Sequence, residues 1–223
     1  MAAGDAERIG KVHVITDEVL QSRFLHEDLA LLAARGGADR IQFREKRPLS
    51  REVCTMTLER IRLALTGHGA CLMVDDRVRE AMDSGALGVH LGRDDMPAAE
   101  ARAMLGPDAV IGLTANSLEE AREAAGKPVD YLGVGPIFPT RSKKNPAESL
   151  GLAGLQKIAQ AVTMPIVAIG GIHAGNAAEV IAHGACGVAV LSAVVCSEDP
   201  EGATRDIVEA VTGRVAREGN HDD

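Results

Sequence analysis

A unit recurs along the whole chain: a short apolar run, a polar cluster, and then a stretch with helical periodicity. In the stretch Leu152–Val162, for example, Leu155, Ile158 and Val162 fall on one face of a helix, and Ala174–His183 has the same pattern. The apolar runs are predicted strands: Lys11–Asp17, Ala38–Glu45, Ala70–Asp76, Gly88–Gly92, Ala109–Ala115, Tyr131–Ile137, Pro165–Gly171 and Gly187–Ala193.

Strands separated by helices pair in parallel through right-handed crossovers. Aromatic residues make up only 2% of the 223 residues and Trp is absent, which fits buried parallel strands of Val, Ile, Leu and Ala. Gly37, Gly85 and Gly184 each precede a strand, as helix-ending glycines do. We predict an α/β protein with one domain, a (β/α)8 barrel over residues 11–212, with an open doubly wound sheet as the alternative. Residues 1–10 and 213–223 are predicted to be disordered.

The formal net charge of −8 argues against nucleic acid or an anionic membrane as a partner. No apolar run approaches the roughly 20 residues that cross a bilayer, and residues 1–10 lack a signal-peptide core, so we expect a cytoplasmic protein. Whether it forms a homo-oligomer is left open. The 4 cysteines show no metal-ligand spacing and are predicted to be reduced structural residues. They are Cys54, Cys71, Cys186 and Cys196.

Polar residues collect where the predicted strands end, and in a (β/α)8 barrel these ends meet at one rim that forms the active site. Alternation along the second strand places Gln42, Arg44 and Lys46 on one side, rising toward that rim. The alternative is a solvated strand end with Arg44 paired to Glu45. Because charges within an apolar strand are costly without a role, we favour an anion site.

Asp75 and Asp76 end the third strand, and Asp95 follows the fourth. Carboxylates in this position suit Mg²⁺, which is held by one or two of them together with water and phosphate oxygens. The alternative is that Asp76 caps the helix starting near Arg77, and that Asp94 or Asp95 caps the helix starting at Pro97.

Two later regions are candidate phosphate sites. The segment from Gly133 to Lys144 leaves the sixth strand into a long loop with hydroxyls and bases, which could close over a phosphate or be an ordinary surface loop. Gly170-Gly171 and Leu191-Ser192 follow the seventh and eighth strands, where such barrels recurrently bind phosphate. No general base is evident, and His90 is predicted to lie in the barrel layers or the core. Two anion sites and a metal suit chemistry driven by a diphosphate leaving group.

Six motifs, in order from Val12 to Val211, resemble the thiamine-phosphate synthase family. They are Gln42-Phe43-Arg44-Glu45-Lys46, Asp75-Asp76-Arg77-Val78, Gly88-Val89-His90-Leu91-Gly92, the segment from Asp130 to Thr140, Ala168-Ile169-Gly170-Gly171-Ile172 and the segment from Gly187 to Ser192. The resemblance implies coupling of 4-amino-2-methyl-5-hydroxymethylpyrimidine diphosphate to 4-methyl-5-(2-phosphoethyl)thiazole, with Mg²⁺ as cofactor.

The resemblance also implies roles for individual residues. Arg44, Lys46 and Lys143 would be catalytic and hold the diphosphate, while Asp76 and Asp95 would bind Mg²⁺. The substrate-binding set it implies is Gln42, Phe43, Arg44, Glu45, Lys46, Asp75, Thr114, Thr140, Arg141, Ser142, Lys143, Gly171, Leu191 and Ser192.

The chain departs from the family pattern in three places. Asp75 replaces the usual Asn, Thr114-Ala115-Asn116 replaces Ser-x-His, and Ser142 stands where Thr is commoner. A related thiazole tautomerase uses a histidine near the position of Asn116, which favours the synthase. A non-catalytic thiamine-phosphate binder and a sugar-phosphate epimerase are further alternatives; the first needs no leaving-group residues, and the second needs an acid/base pair.

Overall fold

The computed structural model describes residues 8–140, 142 and 147–213, and in it parallel strands close into a barrel in sequence order, with β8 pairing to β1. The strands are β1 (Val12–Thr16), β2 (Arg40–Phe43), β3 (Cys71–Asp75), β4 (Gly88–Leu91), β5 (Val110–Ala115), β6 (Tyr131–Val134), β7 (Ile166–Ile169) and β8 (Gly187–Val190). The helices are α1 (His26–Arg35), α2 (Arg51–Ala64), α3 (Val78–Ser84), α4 (Ala98–Leu105), α5 (Leu118–Ala125), α6 (Gly151–Ala161), α7 (Ala174–Ala182), α8 (Ser192–Val195) and α9 (Pro200–Thr212). The predicted single-domain (β/α)8 barrel is confirmed, and the doubly wound alternative is wrong.

Strand alternation divides the apolar side chains into two layers. One layer fills the space between the strands and the helices, and Ile41, Phe43 and Leu132 are fully buried in it. The other lies inside the barrel and includes Met73 and Tyr131. Successive strand residues contribute to opposite layers, so the polar residues that extend the interior side of a strand emerge at the mouth.

Local signals set the helix ends. Ser50 and Ser117 accept hydrogen bonds from the first turns of α2 and α5, as N-caps do. Gly85 ends α3 with a φ of +65°, and Gly37 and Gly184 take positive φ just after the ends of α1 and α7. These are the glycines that the sequence predicts to lead into strands.

The observed strands stop earlier than the predicted ones at the mouth. Gly135–Ile137, Gly170-Gly171 and Leu191–Ala193 lie beyond the strands, with Ser192 opening α8. Gly135–Ile137 and Gly170-Gly171 therefore lie in loops around the mouth, and Leu191 leads into the short helix α8 there.

The N-terminal boundary also differs from the prediction. Ile9 is buried and helical, and the Arg8 guanidinium donates to the carbonyl of Asp108 at 2.8 Å, so residues 8–10 pack on the barrel. Residues 1–7 and 214–223, the rest of the segments predicted to be disordered, lie outside the described residues. Across the described chain no helix combines the length and apolar character needed to cross a membrane. The 4 cysteines are free: Cys54 is buried, Cys71 and Cys186 are half-buried, and Cys196 is exposed.

Candidate active site

The C-terminal strand ends surround one cavity of about 430 Å³ at the mouth of the barrel. Its lining draws on β2, β3, β5, β7 and β8 and on the loops after them, so residues far apart in sequence meet there. Of the predicted site residues, the lining includes Gln42, Arg44, Lys46, Asp75, Asp95, Thr114, Thr140, Ser142, Gly171, Leu191 and Ser192.

Arg44 is held in place from outside the predicted site. Its guanidinium donates to the Asp17 carboxylate at the end of β1 and lies 3.8 Å from Asp75. Asp17 is buried, and its other oxygen accepts from the backbone N–H groups of Val19 and Leu20. The alternative pairing of Arg44 with Glu45 is wrong. Asp17 was missed because its partner lies 27 residues further along the chain.

Phe43 and Glu45 occupy the opposite side of the strand, since side chains alternate. Phe43 is fully buried in the outer layer, and the buried Glu45 carboxylate accepts from the Arg47 guanidinium and lies 3.5 Å from His26. Burial would raise the pKa of Glu45, but the hydrogen bonds from Arg47 outweigh it and hold the pKa below its ordinary value. The structure thus does not bring these two side chains to the cavity, and a substrate contact there would have to use the backbone.

Glu18, His26 and Glu45 lie close enough to one another to suggest a metal site. Arg47, however, pairs with both carboxylates, at 2.6 Å to Glu18 and at hydrogen-bond distance to Glu45. The guanidinium already bonds both carboxylates and offsets part of their charge, so we interpret the cluster as an ion-pair network that supports the strand behind Arg44 and Lys46.

Lys46 binds the two acidic residues at the end of β3. Its ammonium lies 2.9 Å from the Asp75 carboxylate and 2.5 Å from that of Asp76. Burial lowers the pKa of Lys46. The charge of Asp75 and the hydrogen bond to Asp76 raise it by more than this, so the pKa lies above its ordinary value. Burial raises the pKa of Asp76, and repulsion from Asp75 and Asp95 adds to the effect.

The aspartates predicted as alternative helix caps do not cap. Neither α3 nor α4 has a side-chain cap, and Asp95 instead accepts from the backbone N–H of Gly92 at 2.6 Å. Asp76 has a φ of +59°, the positive value that a non-glycine residue takes at some energetic cost, often at functional sites. The capping interpretation is wrong for both residues.

The residues present fit a magnesium ion. Asp76 and Asp95 would supply its oxygen ligands, and the Asp75 and Asp76 carboxylates already bind one cation, the Lys46 ammonium. Asp95 lines the cavity together with Arg44, whereas Asp76 is not among the lining residues, so phosphate oxygens and water in the cavity would complete the coordination.

The far side of the cavity is formed by the loops after β6, β7 and β8. Gly171 has a φ of +65°, and a Cβ there would lie 2.7 Å from Cβ of Phe138 and 2.8 Å from the carbonyl oxygen of Pro139. Glycine therefore lets the loop after β6 approach the loop after β7. Thr140 and Ser142 lie in this loop, where the Thr140 hydroxyl hydrogen-bonds Ser142 at 3.3 Å. Arg141 and Lys143, both predicted site residues, lie outside the described residues.

Three interior residues that the sequence did not assign to the site reach the cavity or support it. His90 lines the cavity and contacts Thr114 and Tyr131. Asn116 also lines the cavity, and its side-chain amide donates to the carbonyl of Gly135, which fixes the start of the loop after β6. The pairing of Tyr131 with His90 has no signal in the local sequence.

A closed (β/α)8 barrel with a cationic and acidic wall on β2–β4, facing a glycine and hydroxyl wall on β6–β8, defines a class of barrel enzyme that acts on phosphorylated small molecules. The model of the family described as thiamine monophosphate synthase matches residues 12–194. The chain belongs to this family, whose members are transferases.

Individual relatives agree. The chain is 45% identical over 214 residues to a thiamine-phosphate synthase of Salinibacter ruber, covering 95% of this chain and 92% of the relative. It is 44% identical over 205 residues to one of Methanoculleus marisnigri, covering 92% and 97%. The solved structure of a thiamine phosphate pyrophosphorylase from Pyrococcus furiosus superposes with a TM-score of 0.83 at 40% identity, covering 92% of this chain and 96% of that one.

Proposed function

We propose that the chain couples 4-amino-2-methyl-5-hydroxymethylpyrimidine diphosphate to 4-methyl-5-(2-phosphoethyl)thiazole, with Mg²⁺ as cofactor. The observation that carries the proposal is that one cavity has Arg44, Lys46 and carboxylates on one wall and the phosphate-type loops after β7 and β8 on the other. A diphosphate and a monophosphate can then bind face to face. A cytoplasmic location stays a prediction of the sequence.

Arg44 and Lys46 would bind the diphosphate, and Asp76 and Asp95 would hold Mg²⁺ beside it. When bound, the ion supplies positive charge that stabilises the leaving diphosphate. Lys46 contacts Asp75 and Asp76, and from there it would reach a diphosphate bound beside the metal. From its place in the family motif, Lys143 would add a further cation to the leaving group.

The thiazole phosphate would bind across the cavity. Gly171, Leu191 and Ser192 would contact its phosphate through backbone N–H groups and the Ser192 hydroxyl, with Thr140 and Ser142 on the opposing loop. Gln42, Asp75 and Thr114 would contact the pyrimidine between the two anion sites.

The reaction we propose is a dissociative displacement. The bond between the pyrimidine methylene carbon and the diphosphate oxygen breaks, and the oxygen keeps the electron pair. The lone pair of the thiazole nitrogen then forms the new C–N bond to the methylene cation. No proton needs to be removed for this bond to form, which agrees with a cavity whose polar side chains neutralise charge.

The thiazole tautomerase alternative needs a proton-transferring group near the end of β5. In this chain that position is Asn116, whose amide is already bonded to Gly135 and which cannot exchange a proton at neutral pH. Arg44 and Lys46, just after β2, would also have no leaving group to bind in a tautomerase or in a simple binder.

The test is a coupling assay with purified protein, both substrates and Mg²⁺, measuring diphosphate release and thiamine phosphate. We expect both products in equal amounts. Both should be lost with EDTA and return with excess Mg²⁺.

Lys46→Ala should lower kcat/KM by at least about tenfold, because it removes a charge-assisted contact to the leaving group. Lys157→Ala, which removes an exposed lysine of α6, is the matched control and should behave as the wild type. Tautomerase activity without thiamine phosphate would contradict the proposal.

A further inference from the structure

Three polar side chains on neighbouring strands connect the barrel interior to the cavity. His90 on β4 places Nε2 at 2.9 Å from the Thr114 hydroxyl on β5, and Nδ1 at 3.1 Å from the Tyr131 hydroxyl on β6. Glycines make room for the two rings: a Cβ at Gly112 would lie 2.1 Å from Tyr131, and one at Gly133 would lie 2.4 Å from His90.

The direction of the hydrogen bonds among these three side chains follows from the burial of Tyr131. Its side chain is 2% exposed, and burial raises the pKa of the phenol well above its ordinary value, so the hydroxyl keeps its proton. Among the described residues the one hydrogen bond found for this hydroxyl is to His90 Nδ1. The neighbouring His13 bonds the carbonyl of Ile9 instead.

A buried hydroxyl with a single partner donates to it, because an unpaired buried donor is costly. His90 Nδ1 is then an acceptor, and the proton of a neutral imidazole resides on Nε2. Nε2–H donates to the Thr114 oxygen and occupies one of its lone pairs. The Thr114 proton is left to point away from His90, and Thr114 lines the cavity.

We propose that Tyr131 and His90 are positioning residues that fix Thr114 as a hydrogen-bond donor toward an acceptor nitrogen of an aromatic heterocycle in the cavity. The identity of that heterocycle as the pyrimidine rests on the function proposed above. The pair would determine which edge of the ring can bind, because an edge that presents only N–H groups at this point offers no acceptor for the Thr114 proton.

The first test is direct observation of the tautomer. In ¹⁵N-histidine-labelled wild-type protein, the His90 signals, assigned by their absence in His90→Gln, should show a protonated Nε2 and an unprotonated Nδ1. In Tyr131→Phe this preference should weaken, because Nδ1 loses its donor. A proton on Nδ1 in the wild type would overturn the proposal.

The second test separates positioning from folding. Tyr131→Phe should raise the KM for the pyrimidine diphosphate about tenfold, the effect of one misdirected hydrogen bond, while the KM for the thiazole phosphate and the binding of inorganic diphosphate stay within about twofold. His90→Gln keeps an N–H near the position of Nε2 and should retain more affinity than His90→Asn, whose shorter amide cannot reach Thr114. Equal losses for both substrates, or equal losses in Gln and Asn variants, would show a purely structural role.

The two proposals can fail separately. Wild-type protein without coupling activity would contradict the synthase function. The tautomer spectra would still decide the direction of the hydrogen bonds from Tyr131 to His90 to Thr114. An active wild type with unchanged pyrimidine KM in Tyr131→Phe would contradict the positioning role alone.

Discussion

Asp17 is a buried carboxylate whose two oxygens have separate partners. Oδ1 accepts from the backbone of Val19 at 2.7 Å and Leu20 at 2.8 Å, and Oδ2 accepts from Arg44. The first oxygen therefore shapes the loop after β1, while the second holds a cation at the mouth. A charge-assisted pair of this kind restricts the guanidinium to one orientation before substrate arrives.

Asp17→Asn should weaken binding of the diphosphate substrate and spare the loop. The amide keeps Oδ1 for the backbone but turns an N–H toward Arg44, so a contact worth about 1.5–3 kcal/mol is lost and the KM should rise about tenfold or more. Steady-state kinetics with each substrate varied in turn would measure this. Glu18→Gln is the control for net charge. It removes the same charge from the neighbouring residue, whose carboxylate binds Arg47 and not Arg44. Equal effects in the two variants would mean that the contact with Arg44 is unimportant.

At the scale of elements, the loops after β6 and β7 depend on one close backbone approach. The amide N–H groups of Ile137 and Phe138 donate to the carbonyls of Ile169 and Gly170 at 2.9 and 3.0 Å. Gly171 adjoins these hydrogen bonds, and the neighbouring loop leaves no space there for a Cβ. The sequence marked Gly170-Gly171 as a phosphate loop, but the packing partner that requires glycine could not be inferred from it.

Gly171→Ala should push the two loops apart. We expect a loss of about 1–3 kcal/mol in the free energy of unfolding. Relative to the wild type, the KM for the thiazole phosphate should rise more than the KM for the pyrimidine diphosphate. Chemical denaturation and kinetics measure the two effects. Gly85→Ala is the matched control, because Gly85 has the same φ of +65° with nothing within 4 Å of the added carbon. If Gly85→Ala is as damaging as Gly171→Ala, backbone conformation and not the close approach is responsible.

At the scale of the whole molecule, the barrel interior contains ionisable groups that couple stability to pH. His13 on β1 is 3% exposed, and within the described residues its one hydrogen bond is the one that Nε2 donates to the carbonyl of Ile9. Burial, together with the charge of Arg40, lowers its pKa from 6.5 to about 4. The unfolded chain therefore binds this proton near pH 6.5 and the folded barrel only near pH 4.

Between these values the unfolded state holds more protons, so the free energy of unfolding falls as the pH decreases. His13 should account for a loss of about 3 kcal/mol between pH 6.5 and 4, since one pKa unit corresponds to about 1.36 kcal/mol. Urea denaturation at several pH values would show a steeper decline in the wild type than in His13→Gln, whatever the difference in absolute stability. Parallel curves would assign the decline to carboxylates elsewhere.

The sequence by itself determined the order and kind of the elements and the set of polar residues at the strand ends. Apolar periodicity and helix-ending glycines are local, and parallel strands joined by helices allow few topologies, so Gln42, Arg44, Lys46, Asp75 and Asp95 could be placed at one mouth without coordinates. Only the tertiary structure decided which partner each side chain takes. Asp17 holds Arg44, Glu45 turns outward to Arg47, and Tyr131 reaches His90 across two strands. These contacts join residues that are distant along the chain, and they depend on strand register and on the space left by glycines, neither of which is written in a local pattern.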